Sequence, residues 1–497
     1  MSLYSNYLYN NMTDTFYILI YKLGSGSYSN VWFSLEFENF HSKIKNKKQL
    51  KINHRALKIH NEECYEQGET EMEINKYILD NLKKKSPYIN YPLSSFVYDE
   101  TYFIVVYDVA IGSLYDVMKL FNKQLPIEFV NTIIPQLIKP IEFIHKCKFI
   151  HTDIKPENYL LMGLDKLQKE IIEYSIGYNL GDKLKKIGNL KKIKYSDLEN
   201  DKIISDQLNK FLKLVSKNFD LKNNILTDDA DDEINDDDIL DNLSIQSTHS
   251  FYSIMSDESK EEDYETVSSY DSRDAEYELL VDNFHTDKLT KILFKKDYEK
   301  YNKTNTKKQD KILKQIEDKN KEQEKKQKYL LETYLLNPVI KLTDFGTMIR
   351  FGETNGTIQT RYYRAPEIIL GHKFNEKIDL WSLGCSIYEL ATGKILFYTC
   401  KDSLIKKYDV DLLNIRMMIE KIEPEQKIQL LKSIYKSKRK EYFINKNHCL
   451  NYFKKIDDKI WTNDFEDKKY FSISTEPNNI VNLIKKFLVV NPKCRNF

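Results

Sequence analysis

Short apolar runs and helical periods alternate between residue 17 and about residue 163. A polar, biased stretch occupies about 164–337, and the alternation returns over 338–497. In the first part, Val31-Trp-Phe-Ser-Leu35, Arg55-Ala-Leu-Lys-Ile59 and Phe103–Ala110 have strand length. The last is the longest apolar run of the chain, yet far short of the ~20 residues that span a bilayer. Glu71-Met-Glu-Ile-Asn-Lys-Tyr-Ile78 reads as a helix, with Ile74, Tyr77 and Ile78 as an inward stripe at i, i+3, i+4. Residues 165–226 place Leu and Ile at helical spacing among many lysines. Residues 228–282 carry 20 Asp and Glu against two basic residues, Lys260 and Arg273, a charge block of the kind that stays unfolded. Residues 288–328 carry 15 Lys against 7 acids and read as a solvated helix or coil. So long a stretch without a core belongs to a compact domain only as an insert. Residues 164–337 are therefore expected to be a largely disordered insert inside one domain.

Composition narrows the class. With 497 residues, 41% apolar and 13% aromatic, the chain can bury a sizeable core. Its length corresponds to two to four domains at roughly 100–200 residues each, or to one large domain with an insertion. The 14 glycines and 11 prolines are too few for a collagen-like chain, and the six cysteines are scattered without a CxxC pair. Free thiols in a reducing compartment are expected. The start, Met1 to Tyr21, has neither a basic n-region nor a small-residue cleavage site. An intracellular, cytoplasmic protein is expected, with the nucleus left open. A formal net charge of +1 speaks against direct nucleic-acid binding. That sum is split, however: the acidic block holds −18, so the remainder holds +19.

Several segments carry chemistry. Leu23-Gly24-Ser25-Gly26-Ser27-Tyr28-Ser29-Asn30-Val31 is a glycine-containing turn between two strand-like segments. Glycine lets such a turn approach phosphate, with backbone N–H groups facing the anion. A strand follows it rather than a helix, which excludes the Rossmann fingerprint, and no Gly-Lys-Ser/Thr follows, which excludes a Walker loop. On its own, a chance hairpin explains it equally well. Lys58 stands alone among apolar neighbours beside Ala56, and an edge-strand charge is its plainest reading. Four further segments follow in order: His151-Thr-Asp153-Ile-Lys155-Pro-Glu-Asn158, Asp344-Phe-Gly346, Ala365-Pro-Glu367 and Asp379-Leu-Trp381-Ser-Leu-Gly384.

Together these segments resemble the eukaryotic-type protein kinases, over about 17–163 and 338–497. Arg364 ahead of Ala365-Pro-Glu367 resembles the CMGC group. Thr152 in the catalytic loop, the Lys22–Trp32 run with Ser29 at the third glycine position, and the long spacer are similar to the SR-protein kinases. The resemblance implies an α+β bilobal protein-kinase fold, with an antiparallel N-lobe sheet plus one main helix and a mostly helical C-lobe. The expected layout is an N-lobe at 17–110, C-lobe parts at 111–163 and 338–497, and a CMGC-type insert at about 398–470.

The resemblance also implies ATP and Mg²⁺ as cofactors. Residues 23–31, Ala56, Lys58, Asp108 and Ala110 would line the nucleotide site, the last two at a hinge. Asn158 and Asp344 would hold the metal ion. Asp153 would accept the substrate hydroxyl proton, Lys155 would contact the γ-phosphate, and Lys58 would orient the α- and β-phosphates. Glu73 is the chosen partner of Lys58, with Glu69 and Glu71 as alternatives. His151 is expected to pack against Phe345, and Arg495 to pair with Glu367. The chain ends at Phe497, so the usual last C-lobe helix is expected to be missing. With Thr152 in place of the loop arginine, activity without activation-segment phosphorylation is expected. An activation tyrosine of the dual-specificity relatives would fall at Thr357. The expected partner is a protein substrate, basic or Arg/Ser-rich, read by acids among Asp409, Asp411, Glu420, Glu423 and Glu425; a monomer without membrane association is expected. The alternative is a catalytically weak pseudokinase or scaffold whose acidic insert docks basic partners.

Overall fold

The computed structural model describes residues 6–25, 29–45, 49–60, 62–82, 85–191, 202–219, 221, 306–353, 358–399, 410–444 and 480–497. The N-lobe is built on strands β1 (Tyr7–Asn10), β2 (Thr15–Ser25), β3 (Ser29–Glu38), β4 (Asn53–His60), β5 (Ser94–Tyr98) and β6 (Tyr102–Tyr107). They form an antiparallel sheet in the order β1-β2-β3-β4-β6-β5. A short helix α1 (Phe40–Lys45) follows β3, and the long helix α2 (Tyr65–Leu82) joins β4 to β5. The sheet begins before residue 17, because β1 pairs with β2 from Tyr7 opposite Ile18. Side chains alternate across the strands. Phe16, Ile18, Ile20, Phe33 and Val105 point to one face, and Tyr17, Leu19, Trp32, Leu57 and Ile104 to the other. Both sets are buried, which explains why β6 reads as a continuous apolar run.

What covers the first face is the start of the insert. The chain passes through β7 (Ala110–Ser113), α3 (Leu114–Leu120), α4 (Ile127–Lys146), β8 (Phe149–Ile150) and β9 (Tyr159–Met162). It then enters α5 (Lys166–Gly177), α6 (Leu180–Lys191) and α7 (Lys202–Phe219). Ile171, Leu184, Leu208, Phe211 and Val215 from these helices share a core with Phe16, Ile18, Phe37 and Phe40. Disorder is thus the wrong expectation for α5–α7: their Leu/Ile spacing has an apolar sheet face to bury against. The far end of the insert, α8 (Thr306–Thr333), is also docked. Leu330 is buried in the C-lobe core, and Gln323 Nε2 donates to the Leu120 carbonyl at 2.8 Å. The acidic block 228–282 lies outside the described residues.

The C-lobe resumes with β10 (Ile340–Leu342), β11 (Ile349–Arg350), α9 (Pro366–Ile369), α10 (Lys377–Thr392), α11 (Val410–Lys421), α12 (Pro424–Lys436), α13 (Lys440–Phe443) and α14 (Ile480–Phe487). Helix α10 is buried from Ile378 to Leu390. Gly384 lets α14 approach it: a Cβ there would lie 3.0 Å from Phe487 Cβ. The expected Glu367–Arg495 pair forms, bidentate at 2.8 and 3.2 Å. Arg495 is 0% exposed, and its remaining donors reach the Lys377, Val489 and Val490 carbonyls. Its guanidinium lies 5.2 Å from the Trp381 ring centre. A buried cation tolerates such a place only when every donor is satisfied.

Because Phe211 is fully buried between α7 and the sheet, Phe211→Ala should destabilise the protein by about 3–5 kcal/mol. Denaturant unfolding of the two proteins checks this. A loss below about 1 kcal/mol would show that α7 does not belong to the N-lobe core.

Candidate active site

The site is assembled around Lys58. On β4 it sits opposite Val31 of β3 and Val105 of β6, in the middle of the sheet. Its Nζ donates to Glu71 Oε2 and to Asp344 Oδ1, both at 2.8 Å. Burial acts to depress the lysine pKa, but Asp344 and Glu71 outweigh it and hold the ammonium above its ordinary range. Lys58 in turn, ahead of the opposing effect of burial, lowers the Asp344 carboxyl to about 2. Tyr107 on β6 donates its hydroxyl to Glu71 Oε1 at 2.7 Å.

The partner on α2 is therefore Glu71 and not Glu73. Glu71 is 0% exposed, whereas Glu73 lies on the exposed face. The inward stripe runs through Glu71, Ile74, Asn75 and Ile78, at i, i+3, i+4, i+7, and Tyr77 falls outside it at 39% exposed. Next to this trio, His60 is buried without a hydrogen-bond partner for either ring nitrogen, 3.9 Å from Glu71 Oε2. Burial, with Lys58 beside it, pushes its pKa down to about 4, so it is neutral at physiological pH.

A second cluster forms on the loop between β8 and β9. Asp153 Oδ1 accepts from the Thr360 hydroxyl at 2.6 Å. Asp153 Oδ2 accepts from Lys155 Nζ at 2.9 Å and from Asn158 Nδ2 at 3.0 Å. Asn158 also donates to the Asp153 carbonyl at 2.7 Å, which turns the loop back on itself. His151 packs edge-on against Phe345 at 5.6 Å, as expected. The loop rests on Asp379 of α10. This buried carboxylate accepts the backbone N–H groups of His151 and Thr152 at 2.8 and 2.9 Å and contacts His145 Nε2 at 2.9 Å. Thr152 adopts φ 69°, a costly conformation for a β-branched residue, and its hydroxyl donates to the Thr347 carbonyl at 2.8 Å. The sequence motif around Asp379 does not by itself disclose this task, and neither Tyr107 nor the contact from Thr360 carries a local signal.

Of the glycine-containing turn, residues 26–28 lie outside the described residues. Leu23, Gly24 and Ser25 end β2, and Ser29, Asn30 and Val31 open β3, with Ser25 Oγ donating to Asn30 Oδ1 at 2.8 Å. A Cβ at Gly24 would meet no atom within 4 Å, so the space beside it is open. Ala56 is buried and pairs with Tyr107, just before the half-open segment of Asp108 and Ala110. Gln168 of α5 donates to the Ala110 carbonyl at 3.4 Å. Asp344 and the amide of Asn158 offer hard oxygen donors. That set suits Mg²⁺, which takes one or two protein oxygens and completes its shell with phosphate and water.

Comparisons with known proteins identify the family. The protein kinase domain family matches residues 17–184 and 325–496. A serine/threonine-protein kinase of Acanthamoeba polyphaga mimivirus is 27% identical over 504 residues, covering 97% of this chain and 85% of its own. The serine/threonine-protein kinase SRPK of Physarum polycephalum is 25% identical over 489 residues, covering 96% of this chain and 83% of its own. A solved kinase domain shares the fold at a TM-score of 0.51 and 16% identity, over 100% of this chain and 95% of that one. With a family match across more than half its length and relatives of this kind along nearly all of it, the chain belongs to the protein kinase family and is a serine/threonine-protein kinase.

Proposed function

We propose that this enzyme transfers the γ-phosphoryl group of ATP to Ser or Thr of a protein through the two clusters just described. Bound ATP with Mg²⁺ supplies the phosphoryl group and the counter-charge that offsets charge developing during its transfer. Lys58, held by Glu71, orients the α- and β-phosphates. Asp344 and Asn158 hold the metal ion. Asp153 accepts the proton of the substrate hydroxyl, and Lys155 faces the transferred group. Leu23–Ser25 and Ser29–Val31 would flank the phosphates, while Ala56 and the backbone of 108–110 would receive the base. The observation that carries this reading is the double 2.8 Å contact of Lys58 with Glu71 and Asp344, which unites N-lobe and C-lobe residues in one charge network. Phosphoryl transfer of this type is mainly positioning and electrostatics, so an assembled network is what catalysis requires.

For the substrate class, the reading rests on the acids at 410–444. Asp411 accepts from Arg439 at 2.9 Å and lies 3.6 Å from Arg364. Glu420 pairs with Arg416 and Glu423 with Lys485, both at 2.8 Å. Asp409 lies outside the described residues. An arginine-rich substrate docking here competes with cations already in place. We therefore infer Ser/Thr phosphorylation with only a modest preference for Arg/Ser-rich segments, and activity that does not wait for activation-segment phosphorylation.

Asp153→Ala should lower turnover by about 10²–10⁴-fold while ATP still binds, measured by phosphate transfer and nucleotide titration; transfer at the wild-type rate would remove Asp153 from the mechanism. Glu71→Gln should cost about a hundredfold in kcat by misplacing Lys58, whereas Glu73→Gln should stay within about twofold, because Glu73 faces solvent. On peptide arrays, Arg/Ser peptides should exceed neutral Ser peptides by less than about tenfold, equivalent to about 1.4 kcal/mol. A larger margin would restore an arginine-reading groove.

A further inference from the structure

Tyr77 leaves the inward stripe of α2 but is not idle. It leans on the two-stranded ribbon of β8 and β11, where Phe149 and Arg350 are cross-strand partners. Side chains so paired lie side by side on one face. The Tyr77 ring meets Phe149 edge-on, with centres 5.5 Å apart and planes at 75°. The Arg350 guanidinium carbon lies 4.5 Å from the centre of the Tyr77 ring and 5.6 Å from that of Phe149. Both distances are within cation–π range.

This contact joins two elements that the charge network also joins. Helix α2 carries Glu71, and β11 begins five residues after Asp344. Neither Tyr77 nor Arg350 belongs to the Lys58 trio itself. The start of the activation segment, which runs from Asp344 to Glu367, is fastened from its other side by the Thr152 hydroxyl on the Thr347 carbonyl. Both fastenings use side chains and backbone already in the chain, with no phosphate group.

We propose that Arg350, set against Tyr77 and Phe149, is a positioning residue that keeps α2 docked with Glu71 on Lys58, so that the active arrangement persists without phosphate on the activation segment. The proposal rests on the Lys58–Glu71 reading of the active site and identifies what maintains it. Removing the clamp lets α2 swing away part of the time, so turnover falls with the docked population while nucleotide affinity changes little.

The test uses the full chain after phosphatase treatment, with Arg350→Ala, Tyr77→Ala, the double variant, Tyr77→Phe, Arg350→Lys and Glu71→Gln. Each single alanine variant should lose about fivefold in kcat, with the KM for ATP changed by less than about twofold. The double variant should be no slower than the worse single one, because both remove the same contact. Tyr77→Phe keeps the ring and should keep the activity; Arg350→Lys keeps the charge and should recover part of it. Hydrogen exchange over residues 65–82 should speed up in the alanine variants. Should one alanine variant fail to fold, the lysine and phenylalanine variants still measure the contact. Wild-type kcat in both alanine variants, or losses that multiply in the double variant, overturns the clamp. If that happens while Glu71→Gln is inactive, the Lys58–Glu71 reading stands and the clamp alone fails. Full activity of Glu71→Gln refutes the underlying reading and the clamp with it.

Discussion

One partly buried ammonium group holds the two halves of this enzyme in register. Lys58 has three N–H donors and spends two of them on carboxylates from different elements, Glu71 of α2 and Asp344 of the segment between β10 and β11. Partial burial penalises its charge, and the two acids at 2.8 Å outweigh that penalty. The dependence is mutual. Removing either carboxylate leaves a largely enclosed charge with one partner, which is costlier than losing a fully exposed pair. Tyr107 then fixes Glu71 to β6 by its hydroxyl. Sheet, helix and catalytic segment therefore share one electrostatic knot, and displacement of any of the three is felt by the others.

The second constraint is conformational. Thr152 and Asp344 both lie at positive φ, 69° and 67°. Such residues persist only where their surroundings over-determine them. For Thr152 the surroundings are Asp379, whose two oxygens accept successive backbone N–H groups, and the Thr347 carbonyl. Asp379 can serve because it lies in the first turn of α10, where a helix N-terminus favours negative charge. Helix α10 in turn is held by burial along its length and by the Glu367–Arg495 pair, whose arginine also donates to the Lys377 carbonyl. Strain at the catalytic loop is thus referred to the most rigid part of the C-lobe.

These supports explain which parts of the site were legible in the sequence. Asp153, Lys155, Asn158 and Asp344 occur in short segments whose internal spacing sets their geometry, so a local reading locates them. Lys58 needs one further step, since its partner comes from another element. The apolar positions Ile74, Tyr77 and Ile78 point to Glu73, but Tyr77 lies off the inward face. Hydrophobic periodicity cannot register a buried glutamate, because Glu71 occupies the inward face only by virtue of a lysine thirteen residues earlier in another element. Tyr77 looked inward for the complementary reason: a large ring is apolar by composition, yet it packs on a cross-strand pair and not in the core. Strand β1 is four residues long and its pairing is set by β2, so nothing within it announces a strand.

The insert follows the same logic of local signal and distant partner. Its helical spacing over 165–226 was visible, but the surface that α5–α7 cover is formed by β2, β3 and β6, far away in sequence. The clue lay in those strands: Phe16–Tyr21 is buried without alternation, and a sheet with both faces buried needs cover on each side. The point of insertion is equally physical. β9 and β10 are antiparallel neighbours, with Leu161 opposite Ile340, and the Tyr334 hydroxyl donates to the Leu164 carbonyl at 2.7 Å just beyond them. Its two ends are therefore held together by the kinase fold itself. Closing a loop between fixed ends costs only about 0.6 kcal/mol more for each doubling of its length. A long charged segment can accumulate at this hairpin with little effect on the lobes. The near-zero net charge is thus the sum of a basic enzyme and an acidic segment that the fold accommodates at one strand pair.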